Sequence, residues 1–347
     1  MKRIHKIAGI VLSFAIITLI AGCGGSSSSS GTTSGYTPST PSTKTETGVM
    51  SLSITDAKPR LPDEPIAVNI RVTGIEFNYN GKWTDVNEFE FENDEFENDK
   101  FEPQTFNLLE LQDGHSLHLG NFILPVGHYK EIRFKLDAAE RNGKVKSNPG
   151  CNIVFEDDNG EEWSVPLFVP SGGQSGYKGK GKFEITANAQ IEITADFNVE
   201  KSIVVAGKSG KYLLKPVIRL VVTELSGTIK GTVVDMENYP EKENDLSVYA
   251  YEHGTYDNTY PEGDEVSGNS DGVFFTNAVS STDVNMTDGN FTLSFLKAGA
   301  YDLVTVNYPA GTENTNPVVV DMEKGADENG VIVSKATETS IDVNTTD

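Results

Sequence analysis

Basic side chains are scarce in this 347-residue sequence: 28 Lys and Arg stand against 51 Asp and Glu, a formal net charge of −23. Affinity for nucleic acid rests on neutralising phosphates with Lys and Arg, so this balance excludes a nucleic-acid partner. Cysteine is scarcer still. Two residues allow at most one internal disulfide. Apolar residues make up only 37% of the chain, and no stretch is long and apolar enough for a permanent membrane span. Histidine numbers five, and no His-Glu-x-x-His pattern occurs among them. Helical spacing of apolar residues is nearly absent, the best exception being residues 107–112. The fold must therefore rest on β cores.

The N-terminus reads as an address. Lys2, Arg3 and Lys6 precede an almost wholly apolar run over residues 7–21, the charged and hydrophobic regions of a secretory signal. The run ends Leu19-Ile20-Ala21-Gly22-Cys23, which resembles a bacterial lipobox. That resemblance implies that residues 1–22 are a lipoprotein signal peptide and that Cys23 becomes the first mature residue, its thiol carrying diacylglycerol. The membrane is then a partner through a lipid anchor at Cys23. Residues 23–47, rich in Gly, Ser, Thr and Pro, form a flexible tether. Gly24, not the Asp of inner-membrane retention, follows the cysteine, so by analogy the outer membrane of the cell envelope is the expected location. Cys151, left without a cysteine partner, reads as a small buried hydrophobe.

Behind the tether the sequence predicts an all-β protein of two consecutive antiparallel β-sandwich domains, residues 48–225 and 226–347. The first holds 19 basic and 28 acidic residues and the second 5 and 22, and such asymmetry supports separate modules. In the first, Ile191, Ile193, Ala195, Phe197 and Val199 alternate with Glu192, Thr194, Asp196, Asn198 and Glu200. Ile132, Phe134 and Leu136 repeat the pattern, as do Val68, Ile70 and Val72. The apolar phase shifts after Gly74 to Ile75, Phe77 and Tyr79, which predicts a β-bulge at the glycine.

Several motifs of this first domain resemble the bacterial lipoprotein domain of unknown function 4382. They are Met50-Ser51-Leu52-Ser53-Ile54-Thr55-Asp56-Ala57-Lys58-Pro59, Val72-Thr73-Gly74-Ile75-Glu76, Phe106-Asn107-Leu108-Leu109, Leu124-Pro125-Val126-Gly127-His128-Tyr129, Val169-Pro170-Ser171-Gly172-Gly173-Gln174-Ser175-Gly176 and Leu214-Lys215-Pro216-Val217-Ile218-Arg219. The resemblance implies an exported β-sandwich and brings no catalytic residues with it. The second domain opens Gly227-Thr228-Ile229-Lys230-Gly231 and continues with Asp288-Gly289-Asn290-Phe291-Thr292-Leu293 and Ala298-Gly299-Ala300-Tyr301. This is similar to the carboxypeptidase regulatory-like, or prealbumin-like, β domain, whose fold is shared with carbohydrate-binding-like modules. The expectations are a tight turn at Asp288-Gly289, Phe291, Leu293 and Phe295 alternating inward, a hairpin bending at Gly299, and a long acidic insertion over residues 239–269.

Candidates for chemistry are few. His115 and His118 flank extended sequence that turns them to opposite faces, which leaves them without a shared metal. Ser171 and Ser175 lie in a Gly-rich loop that lacks a nucleophile elbow. Asp157-Asp158-Asn159-Gly160 resembles the start of a calcium loop, but the rest of the ligand set does not follow, and Asn159-Gly160 is better read as a hairpin turn. Phe91, Phe96 and Phe101 recur with a period of five inside an acidic repeat, matching neither helix nor strand, so the run reads as an insertion loop or an exposed aromatic contact. Tyr177-Lys178-Gly179-Lys180-Gly181-Lys182 is the densest positive run. Lys178, Lys180 and Lys182 share one face of a strand, which fits a lysine-guarded edge strand or, with Tyr177, a contact for an anionic polymer. The expectation is a cofactor-free, non-catalytic, lipid-anchored binding, adhesion or structural module for a glycan, an envelope polymer or a protein. The alternative is a carboxylate-dependent glycoside hydrolase or its accessory subunit.

Overall fold

Alternation in the sequence becomes strand at nearly every place it occurs. The computed structural model describes residues 45–57, 65–89, 100–140, 150–169, 176–206, 209–240, 244–257, 274–309, 317–325 and 328–345. Cys23, with the signal and tether, lies outside them, as do Ser171, Ser175, Phe91 and Phe96. Among the described residues no helix is long and apolar enough to cross a membrane.

The first β region contributes β1 (Thr47–Ala57), β2 (Ala67–Tyr79), β3 (Lys82–Asp85), β4 (Gln104–Asn107), β5 (Leu117–Pro125), β6 (Gly127–Leu136), β7 (Ala139–Glu140) and β8 (Asn152–Glu156). It continues with β9 (Glu162–Pro166), β10 (Phe168–Val169), β11 (Tyr177–Ile185), β12 (Gln190–Asn198), β13 (Ile203–Ala206), β14 (Lys211–Leu214) and β15 (Val217–Val222). The main sheet runs β5-β1-β12-β15-β11-β6-β2-β8-β9, with β3 and β4 also paired to β2, and β13-β14-β10-β7 form a smaller one. Most ladders are antiparallel, but β1 with β12 and β11 with β15 are parallel. Parallel neighbours must come from distant sequence, which a strand-by-strand alternation does not disclose. Met50, Leu52 and Ile54 of β1 meet Ile70, Phe77, Phe134, Ile193 and Leu220 in one large apolar cluster, and Ala139, Phe168, Val204 and Leu213 form a small separate one on the shorter sheet. The register of β2 on β6 shifts between Val72 and Gly74, the bulge that the change of apolar phase predicts.

The second β region contributes β16 (Ser226–Val233), β17 (Asn244–Glu252), β18 (Ser280–Asp283), β19 (Asn290–Lys297), β20 (Gly299–Pro309), β21 (Val318–Glu323), β22 (Val331–Val333) and β23 (Glu338–Val343). One sheet is β19-β16-β23; the other is β18-β17-β20-β21 with β22 also on β20. Leu246, Val248 and Leu303 pack with Ile229, Leu293 and Val343 between the sheets. A second, smaller cluster of Tyr249, Tyr251, Phe275, Val304 and Val306 covers the other face of β17 and β20. Both β regions belong to one compact unit, Lys44–Asp347.

Three expectations about this region are corrected. Residues 239–269 are not simply an insertion, because 244–252 form β17, a strand buried on both faces from Leu246 to Tyr251. Gly299 opens β20 but does not bend a paired hairpin: β19 and β20 lie in different sheets. Phe295 does not continue the inward alternation of Phe291 and Leu293. Its φ of 56° shifts the phase, so Leu296 is buried in its place.

Candidate functional site

With Met50, Leu52 and Ile54 inside, the period-2 geometry of a strand sends Ser51, Ser53 and Thr55 to the outer face of β1. On β12 the same rule sends Thr194, Asp196 and Asn198 outward. All six of these polar residues are nevertheless buried. Residues 111–116 fold back over β1, held by the Thr55 hydroxyl against the Leu111 and His115 carbonyls at 3.0 and 2.7 Å. From the second region, β18 lies against β1 and β19 against β15. Where this cover is incomplete, a cleft of about 400 Å3 remains between the two β regions.

The wall from the first region carries Asp56, Gln112, Asp113 and Asp196, and the facing wall carries Ser280, Thr282, Asp283, Asn285, Ser294 and Phe295. The Val199 amide donates to Asp56 Oδ1 at 2.9 Å, fixing the end of β1 to the turn after β12. Asp196 Oδ2 accepts from Arg219 Nη2 at 2.5 Å and Nε at 3.2 Å. Ser247 donates to Asp283 Oδ1 at 2.7 Å. Asp113 and Gly114 both take left-handed φ, 56° and 85°. Their turn brings Asp113 Oδ1 within 3.3 Å of the Thr282 hydroxyl, a direct bond across the cleft. Gly114 meets Ser294 so closely that a β-carbon there would stand 2.7 Å from its hydroxyl oxygen. The buried Gln112 Nε2 has no hydrogen-bond partner within the protein.

Chemically the described lining of the cleft is a field of carboxylates, hydroxyls and amides with two rings, Phe291 and Phe295, and among the described residues no Lys, Arg or His lines it. Arg219 reaches Asp196 and also neighbours Tyr301. Burial pushes the Tyr301 phenol up, and Arg219 draws it partly back. Among the described residues no group of three or more His, Cys, Asp or Glu is arranged to hold a metal ion.

The residues that the sequence singles out lie elsewhere. Lys178, Lys180 and Lys182 are exposed on one face of β11, but that strand lies inside the sheet between β15 and β6, not at its edge. Glycines alternate with the lysines because the inner face of β11 presses on Leu220; a β-carbon at Gly179 would stand 2.8 Å from that side chain. Tyr177 is on the inner face, packed against the core with its hydroxyl donating to the Leu214 carbonyl at 3.4 Å. The structure therefore separates Tyr177 from the lysines. Lys178 is drawn toward Glu131 at 3.5 Å and lies 5.4 Å from the Trp83 ring centre, which Arg133 already covers at 3.9 Å.

The remaining candidates have structural posts. His115 sits in the turn before β5, while His118 Nδ1 is 3.4 Å from Ser51 Oγ. His128 lies 3.9 Å from Glu184, and His253 bonds the buried Asp302 at 2.7 Å. Cys151 is fully buried, and that burial pushes its thiol up to about 12. Asn159-Gly160 turns the β8–β9 hairpin, with Asp157 Oδ1 accepting the Asn159 and Glu161 amides. Phe101 is in the main core.

Sequence reasoning missed the cleft because Thr194 and Asp196 read as a solvated face. The available signal was side-chain type. Outward positions that meet water on β6 and β11 are His, Lys, Arg and Glu, whereas those under the second region are Ser, Thr, Asp and Asn, short groups that hydrogen-bond at close range.

Residues 47–216 match the family model described as a domain of unknown function (DUF4382). No curated protein matches the chain. Among solved structures, the minor pilin GBS52 of Streptococcus agalactiae is similar at 11% identity, over 85% of this chain and 94% of its own, with a TM-score of 0.18. The shaft pilin SpaA of Lactobacillus rhamnosus GG is similar at 12% identity, over 86% and 96%, with a TM-score of 0.19. The major pilin subunit of Bacillus cereus follows at 10% identity, over 86% and 99%, with a TM-score of 0.17.

Proposed function

We propose that this chain is a lipid-anchored, non-catalytic protein of the bacterial envelope that holds a glycan, free or as part of an envelope polymer, between its two β regions. The observation that carries this reading is the cleft. Its volume of about 400 Å3 suits a small ligand, and it offers hydrogen-bonding groups from both regions with the Phe295 ring among them. Sugars present vicinal hydroxyls and an apolar ring face, which carboxylates, amides and aromatic rings complement. The carboxylates there have structural duties: Asp196 holds Arg219, Asp283 accepts from Ser247, and Asp56 accepts from Val199. That favours binding over catalysis. The cleft is preferred to the lysine row because Lys178 is engaged with Glu131 and Tyr177 faces the core.

Location follows from the N-terminal sequence. Cys23 after Leu19-Ile20-Ala21-Gly22 supports lipid attachment, and Gly24 supports the outer membrane. Two measurements test the reading. Fatty-acid labelling should mark the parent and not Cys23→Ser, with most of the variant released from membranes; a variant that still carries label refutes the anchor. A glycan array probed with the full chain in detergent should show retained ligands whose length is unchanged after incubation. Shortened products would move the chain to the hydrolase reading.

A further inference from the structure

We infer that Phe295 is the platform on which the cleft seats its ligand, and that this ligand is a pyranose with equatorial ring hydroxyls, an inference that rests on reading the cleft as a glycan site. The backbone singles the residue out. The ladder of β19 with β16 passes from Leu293 opposite Ile229 to Leu296 opposite Gly227, so Ser294 and Phe295 together face one partner residue, Thr228. A bulge of this kind inserts one residue and re-aims a side chain. Phe295 holds a left-handed φ of 56° there, which glycine adopts freely and an aromatic residue rarely does. Bulge and φ together turn its ring out of the inward row of Phe291 and Leu293 and into the lining of the cleft.

A ring placed for packing would join the core. Phe291, Leu293 and Leu296 do so, but the half-buried Phe295 belongs to none of the apolar clusters of the described residues, even as a peripheral partner. A strained backbone carrying an aromatic ring that the core does not use points to a ligand as the ring's partner. A phenyl face takes an apolar surface. A pyranose with equatorial hydroxyls supplies one, because its axial C–H bonds point to the two faces of the ring while its hydroxyls lie around the rim. With a C–H face on Phe295, the rim meets the Ser280 and Thr282 hydroxyls and, from the facing wall, the Gln112 amide nitrogen, which is enclosed without a partner. An acyclic polyol carries similar hydroxyls and has no such face.

The experiment is titration calorimetry of the full chain in a detergent without sugar head groups, with cellotetraose and an N-acetylglucosamine tetrasaccharide as probes and sorbitol as the acyclic control. At least one oligosaccharide should bind the parent, and sorbitol at the same concentration should not. Phe295→Ala should weaken that binding about tenfold, the loss of one ring contact. Phe295→Tyr keeps the ring and should stay within about twofold of the parent. Thermal unfolding separates a platform from a packing residue. Phe295→Gly should bind as poorly as Phe295→Ala yet melt about 2–4 °C higher than it, because glycine relieves the backbone. Neither should approach the fall produced by Phe291→Ala, which empties a buried position on the same strand. Equal binding by parent and Phe295→Ala, or a melting temperature for Phe295→Ala as low as that of Phe291→Ala, would overturn the platform while the glycan reading stands. Sorbitol binding as tightly as the oligosaccharides would do the same. Failure of both oligosaccharides on the parent, with other glycans retained on the array, would overturn the equatorial class, whereas an array retaining no glycan would remove the reading beneath it.

Discussion

The two β regions bury their strands differently. In the first, the main sheet packs one face on one large core, so a strand such as β6 keeps a wet face, and Ile132 and Phe134 alternate with Arg133 and Lys135. In the second, the sheet containing β17 and β20 lies between two apolar clusters. Ser247 and Thr305 are as buried there as Val248 and Val304. A strand advertises itself by alternation only while one of its faces meets water, and a strand covered on both sides loses that mark.

The sharpest way to break this comparison is to cut one core at a time. Leu52 on β1 and Leu303 on β20 are both fully buried, and truncating either to alanine should cost about 2–5 kcal/mol, from lost transfer energy and the cavity left behind. We propose that the regions fold separately, with the boundary at residues 225 and 226. In calorimetry of the full chain, Leu52→Ala should then lower one transition and Leu303→Ala the other. A single transition displaced equally by both variants would show that the cleft interface joins the cores into one cooperative unit.

How much was legible follows the same division. The bulge at Gly74 and the turns at Asn159-Gly160 and Asp288-Gly289 are local devices, readable because the residue type and the break in phase lie within a few positions of each other. The strand β17 was hidden inside a supposed acidic insertion, since burial on both faces leaves no period to see. Phe295 reads as a core residue in the sequence because the left-handed φ that turns it toward the cleft has no glycine to announce it. The cleft itself was illegible: Asp56, Asp113, Asp196 and Asp283 come together only through the parallel pairing of β1 with β12 and the docking of β18, neither of which leaves a local trace.

A smaller effect separates contact between the regions from backbone strain alone. Gly81 and Gly114 have nearly the same left-handed φ, 82° and 85°, yet a β-carbon at Gly81 meets nothing and one at Gly114 meets Ser294. Gly81→Ala should cost about 1 kcal/mol from conformation alone. Gly114→Ala should cost about 1–2 kcal/mol more than that, because it also forces the turn carrying Asp113 away from β19. Thermal unfolding of the two variants measures the difference. Equal costs would mean that the Asp113-Gly114 turn yields freely and does not fix the width of the cleft.

The smallest effect compares how each region holds a charge. Burial alone would raise the Glu76 carboxyl, but its bonds to Lys135 and Arg133, at 2.8 and 2.9 Å, bring it below its ordinary value. Burial acts the same way on Asp235, where the Thr345 hydroxyl and amide and the Asn238 side chain bring it down without any cation. A carboxyl lowered in the folded state contributes stability that is present above its unfolded pKa of about 4 and is lost as pH falls through the lower folded value. Lys135 carries the opposite sign. Glu76, and burial working against it, leave the ammonium raised, so its share is complete below about pH 10 and is lost as pH rises through the folded value. Glu76→Gln and Asp235→Asn should therefore each flatten the acid limb of the stability curve by roughly 0.5–1.5 kcal/mol, solvent screening keeping the Glu76 share at the low end. Salt distinguishes them. Raising ionic strength should shrink the Glu76 difference, which depends on neighbouring cations, and leave the Asp235 difference unchanged, since it depends on neutral donors. Melting temperatures of parent and variants from pH 3 to 7, at low and at about 1 M salt, supply the test. If both differences fell together, Asp235 too would be held by long-range charge, and the contrast between a carboxyl fastened by ion pairs and one fastened by neutral hydrogen bonds would fail.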